Sequence, residues 1–273
     1  MTEILQYQFF QNAIAGSLLA SVLCGIVGTY IVARRLVFIS GGITHSSFGG
    51  IGIGVYLGVN PVATAMAFAV ASALGVQWFS NRNDVREDSA IAVFWTFGMS
   101  VGILFSFLTP GFLPDLPSFL FGSILAIGHA DLLLLGTLAA AAAAVFFTFT
   151  RTIVGVAFDR EFAKSRGLPV TLIEYALMAL IAMTIVATLR MVGIVLAMSL
   201  LTIPQMTANL FTYNFKRMMA ASIAVAMADC VAGLALSYAA DVPSGAAIIF
   251  VSVITYAAAK AFQAAAAKTR RHA

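Results

Sequence analysis

The stretch LVFISGGITHSSFGGIGIGVYLGVNP, residues 36–61, holds the side chain best suited to chemistry: His45, the one histidine expected at membrane depth, set among small and apolar residues. A neutral imidazole takes up a proton or a borderline divalent cation such as zinc, manganese or iron. On a helix advancing about 100° per residue, His45, Gly49, Gly52 and Tyr56 fall on one face, with Thr44 adjoining, while Ser47, Gly50, Gly54 and Gly58 fall on the opposite one. The first face reads as a translocation path, its glycines leaving clearance beside the imidazole. The second reads as a surface that lets another helix backbone come near. The plainer alternative is a histidine hydrogen-bonded among Thr44, Ser46 and Ser47. Ionisable residues inside membrane spans are functional candidates by default.

Asp229, near the middle of the run from Lys216 to Asp241, is the second ionisable group at such depth. A carboxylate there is costly and is expected to face a bundle interior or a watery path. Ser222, Ala226 and Gly233 lie on its side of the helix. A protonated aspartate bonded to a neighbouring helix is the alternative, and nothing in the sequence joins it to His45. His129 and Asp131 flank a helix start, where polar residues need no further role. Met191, Met198 and Met206 are soft donors in principle, although at these spacings methionines more often pack. The chain has no phosphate-cradling GxxxxGK[ST] loop, so ATP is expected on another subunit. CxxC and HExxH patterns are also missing, which argues against a redox enzyme or metalloprotease.

These residues need a membrane to position them. With 61% hydrophobic and 10% charged residues, the chain cannot offer water a solvated surface over most of its length. The apolar runs lie near 9–32, 42–59, 62–80, 89–109, 130–150, 171–189, 192–212, 218–240 and 244–262, each close to a bilayer-crossing length. The expectation is an all-α polytopic membrane protein, a single permease domain over 1–273 with about nine transmembrane helices, eight being the alternative count. The start lacks a basic n-region and a small-residue cleavage site, so the first span is expected to stay. Cys24 and Cys230, both inside apolar runs, imply no disulfide framework. If Arg34 and Arg35 are cytoplasmic, alternation puts 81–88, 151–170, 213–217 and the basic tail 263–273 on that side, and with them every Lys and Arg except Arg190 and Lys260, the latter at the tail end of the last run. The positive-inside rule then places the N-terminus outside and the C-terminus inside.

Two segments do not span. Residues 110–128 combine three prolines with an apolar piece too short to cross, the pattern of an outer interfacial or re-entrant helix. Residues 151–170, RTIVGVAFDREFAKSRGLPV, contain a short amphipathic helix on the inner side: acids at its start, bases toward its end, then Gly167 and Pro169 as a stop. A charged helix held between two spans is a docking surface for a partner.

FDREFAKSRGLPV resembles the coupling-helix segment of permease subunits of metal-ion ABC transporters, the manganese, zinc and iron uptake family. ITHSSFGGIGIG, VGIVLAMSLLTIPQMTANL from Val192, LSYAADVPSGAAIIF from Leu236 and the outer FGSIL agree in order, so the likeness covers nearly the whole chain. The resemblance implies a homodimeric importer subunit in the bacterial cytoplasmic membrane. Two copies of a separate ATP-binding subunit would drive it, and an extracytoplasmic metal-binding protein would feed it. Besides membrane lipid no other partner is implied, nucleic acid included, and no cofactor would be held by this chain. Phe158, Asp159, Glu161, Phe162 and Gly167 would then form the ATPase-coupling surface, with Phe158 and Phe162 as anchors. One position departs from the pattern: family members carrying manganese or zinc have an aspartate four residues before the histidine, and here that residue is Gly41. His45 with Asp229 is therefore the metal pair to test. A proton-coupled secondary carrier using the same two residues is the alternative, and an intramembrane enzyme stands third.

Overall fold

The computed structural model describes residues 7–82, 85–110 and 127–271, apart from the side chains of residues 190 and 267–271, and the regular elements among them are helices. They are α1 (Gln8–Ala33), α2 (Val37–Leu57), α3 (Pro61–Arg82), α4 (Glu87–Leu108), α5 (His129–Phe158), α6 (Arg160–Ser165), α7 (Val170–Leu200), α8 (Ile203–Asn209), α9 (Phe215–Ala240) and α10 (Ser244–Arg271). Most of the outer segment 110–128 lies outside the described residues.

Among the described residues eight segments are long and apolar enough to cross a membrane: α1, α3, α4, α5, α9, α10 and two pieces of the α7–α8 stretch, Val170–Leu189 and Met191–Asn209. α2 is less apolar because it carries glycines, hydroxyls and an imidazole. Its 21 residues nonetheless measure about 31 Å at 1.5 Å per residue, and with it the count is nine.

The division of α7 follows from its packing on α1. Glu174 reaches Arg34 at the C-terminal end of α1, whereas Met191 lies against Gly16, near the other end. Leu201 and Gln205 come back to Gly28. A helix that continued straight would carry residue 201 about 15 Å past Met191 and away from Gly28. The chain therefore reverses, and it does so at Gly193, whose φ of 76° and ψ of 174° suit a residue without Cβ. The exposed backbone below this reversal is partly repaired by buried Gln205, which donates to Leu200 O at 3.0 Å and Cys24 O at 2.8 Å. Irregular backbone at this depth is tolerated because it is buried in protein.

α1 and the α7–α8 hairpin form the centre, and α4, α5 and α10 have the least buried outer faces. α2 packs on α4, α3 and α7, while α9 packs on α1, α10 and α8. Phe97, Phe107, Leu133, Phe147, Phe250 and Phe262 stand exposed around the outside, as a surface solvated by lipid requires. α10 runs on to Arg271 and takes in residues 263–271 of the basic segment. The two cysteines are free and buried.

Candidate functional site

α2 keeps its hydroxyl groups satisfied within itself. Ser40 donates to Val37 O, Thr44 to Ser40 O, Ser46 to Ile43 O and Ser47 to Thr44 O, so these hydroxyls need no outside partner. Thr44, only 1% exposed, is thus turned back onto its own helix.

The glycines do what four-residue spacing allows, but on both faces. A Cβ on Gly50 would run into Thr64 O and Ala65 of α3. On the histidine side, a Cβ on Gly49 would meet Phe68 Cζ at 2.7 Å and Gly98 O at 3.0 Å, and one on Gly52 would meet Gly102 O at 2.6 Å. The clearance expected beside the imidazole at Gly49 and Gly52 is taken up by α4 and by Phe68 of α3, because Gly98 and Gly102 bring the α4 backbone as near as the α2 glycines permit. Tyr56, at the far end of α2, is 45% exposed and meets Phe105 edge-on at 5.3 Å between centroids.

His45 is half-buried, its ring stacked on Trp95 of α4 at 4.5 Å with 5° between planes. Nδ1 is buried and has no hydrogen-bond partner. One turn earlier, the space a side chain on Gly41 would enter is occupied by Met198, Cε at 3.1 Å and Sδ at 3.6 Å from the Cβ position, with Trp95 Cζ3 at 3.8 Å. A thioether and an indole edge thus stand at the Gly41 position, and the same indole is stacked on the His45 ring. Nothing in the sequence separated Met198 from the other methionines; only the return of the chain after Gly193 brings it here.

Asp229 is 2% exposed, and its Oδ1 accepts from Thr255 Oγ1 of α10 at 2.7 Å, with Ser252 one turn away on the same helix. The structure does not bring Asp229 and His45 together, since α2 and α9 have different neighbours. Among the described residues no three of His, Cys, Asp and Glu converge in a way that would hold a metal ion. Asp131 accepts from the Gly128 N–H at 3.1 Å, which accounts for an acid at the start of α5.

At the other candidate surface, α6 is held from behind by Ala163, which packs with Val156 and Val170. Asp159 caps it, accepting from Phe162 N at 2.9 Å, and Gly167 ends it with a φ of 71°. Phe162 is 54% exposed and Phe158 65%. They do not share one helix, as four-residue spacing implied: Phe158 is the last residue of α5, and the extended Asp159 separates it from α6. Glu161 pairs with Lys164 at 3.0 Å in the open.

The sequence reading missed Glu174. Its carboxylate, 1% exposed, is gripped by Arg160 at 3.0 Å and Arg34 at 3.5 Å. The available signal was a lone acid in the first turns of an otherwise apolar run.

Three likenesses place this geometry. The membrane protein slr2045 of Synechocystis sp. is 40% identical over 263 residues, 96% of this chain and 94% of that one. The manganese transport system membrane protein MntC of Halalkalibacterium halodurans is 31% identical, over 94% of this chain and 88% of its own length. A chain of the solved structure of PsaBC from Streptococcus pneumoniae in complex with Fab matches with a TM-score of 0.82 at 25% identity, covering 93% of this chain and 91% of that one. A family model described as the ABC 3 transport family matches residues 6–263, and the chain belongs to that family.

Proposed function

We propose that the chain is the permease subunit of an ATP-driven importer whose cargo is a divalent transition-metal ion, manganese, iron or zinc, or a chelate of one. Two copies form the path, each with two coupling phenylalanines set against a cytoplasmic ATP-binding subunit, and an extracytoplasmic binding protein delivers the ion. The chain holds no cofactor of its own; ATP sits on the partner. The end of the bundle that gathers Arg34, Arg160 and α6 is the cytoplasmic one, which leaves the N-terminus outside and the C-terminus inside the bacterial cytoplasmic membrane.

The observation that carries this reading is α6: a six-residue helix capped at both ends, packed to the spans through one alanine, with Phe158 and Phe162 turned outward. Exposed aromatics at a bundle's inner end are suited to a protein groove. The manganese-transporting relative supports the cargo, as does the free imidazole nitrogen of His45. Membership of an ABC family disfavours the secondary-carrier alternative, and so does the separation of His45 from Asp229.

The test is co-expression with the ATP-binding subunit, reconstitution in proteoliposomes and radiolabelled manganese, iron and zinc uptake. ATP-dependent accumulation of one of these ions is expected. Uptake driven by a pH gradient without ATP would overturn the assignment.

A further inference from the structure

We propose that Glu174 is the positioning residue that carries displacement of α6 to the base of the histidine-bearing helix α2; the inference rests on the ATP-driven reading above. Its carboxylate, on α7, meets side chains of α6, α3 and the end of α1 at one point. Oε2 lies 3.0 Å from Arg160 Nη2, the first residue of α6, and accepts from Gln77 Nε2 of α3 at 3.3 Å. Oε1 lies 3.5 Å from Arg34 Nη2, which caps α1 three residues before α2 begins. Both arginines have second anchors. Arg160 donates to Asn81 Oδ1 at 2.8 Å; Arg34 donates to Val156 O at 3.4 Å and stands 3.9 Å from Glu87.

Adhesion alone does not call for such a network. The apolar contacts of Ala163 already fasten α6 to α5 and α7. Taking a carboxylate out of water is expensive, and well-packed apolar side chains of the same volume often serve stability as well or better. What the ions add is direction: α6 is tied through Glu174 to the α1–α2 corner, where Arg35 adopts a φ of 60°. From that corner α2 extends as one packed body, its glycines locked on α3 and α4, and His45 lies eight residues in, about 12 Å along the axis. A shift of α6 thus moves the base of α2 and not only α5 and α7. The same carboxylate sits on the first arm of α7, whose reversal at Gly193 leads to Met198 beside Gly41. One side chain therefore touches both routes from the ATPase surface to the imidazole.

The experiment compares wild type, Glu174→Gln and Arg160→Gln in the complete transporter in proteoliposomes, with radiolabelled manganese as the probe ion and ATP hydrolysis measured in parallel. Both variants are expected to co-purify with the ATP-binding subunit and to hydrolyse ATP near the wild-type rate, while ions imported per ATP fall about tenfold, within the usual span of coupling between sites. Arg160 is a third exposed and leaves the Glu174–Arg34 pair in place, so its variant carries the test if Glu174→Gln is not recovered from membranes. An unchanged ratio of ions to ATP overturns the positioning role, and so does a proportional fall of both rates with loss of the bound ATPase. Wild-type complex without ATP-dependent uptake overturns the importer reading and this role with it.

Discussion

His45 leaves Nδ1 unpartnered while its ring is stacked on Trp95. A buried polar atom without a hydrogen bond costs about 1–3 kcal/mol, a cost that structural packing alone does not explain. Replacing the imidazole removes that cost together with any bond to a passing ion. His45→Ala is therefore expected to leave membrane abundance intact and to cut metal uptake by at least about tenfold, the lower end of what even outer-shell partners contribute at metal sites. Asp229→Asn should impair uptake less, because the amide oxygen still accepts from Thr255. Wild-type uptake by the His45→Ala strain, measured with radiolabelled ions in cells lacking other importers, would remove His45 from the path.

At the scale of elements, α2 and α4 approach through Gly49, Gly52, Gly98 and Gly102, and a Cβ on Gly102 would stand 2.7 Å from Phe48 O. Larger side chains at these positions act first by prising the helices apart, a cost of about 1–3 kcal/mol or more for overpacking. Lost transport in such variants would not report on an open path. α6 is a different case, since Phe162 is 54% exposed and its ring lies under the guanidinium of Arg166. Phe162→Asp should leave the permease folded in detergent and abolish metal-stimulated ATP hydrolysis by the reconstituted complex. Undiminished stimulation would show that this helix does not anchor the ATPase.

For the whole molecule, the α7–α8 hairpin presents Val195 and Met206 as exposed residues on one of the most buried spans, which fits a face shared with a second copy. A two-fold axis along that face would set two copies of the Met198 and His45 region across one path. Mass measurement in lipid nanodiscs, with a Val195→Cys variant for cross-linking, should show two copies. Monomers alone, with transport intact, would end the dimeric reading.

The span pattern and the clustering of basic residues were legible in the sequence because a bilayer demands long apolar runs. The short helix α6 was legible too, since its cap, charges and Gly–Pro stop act within a few residues of one another. These are local constraints, and so is the choice of His45 as the ionisable residue in an apolar run. What stands next to His45 was not legible. The glycine periodicity of α2 is the same whether a helix or open space lies beside it, and only packing shows α4 there, with Trp95 on the ring. Met198 reaches the space beside Gly41 because the chain reverses at Gly193, and Glu174 gains its meaning from two arginines 140 and 14 residues away. Contacts of that kind are decided by how helices distant in sequence come together, since nothing in the spacing of residues along one helix specifies its neighbours.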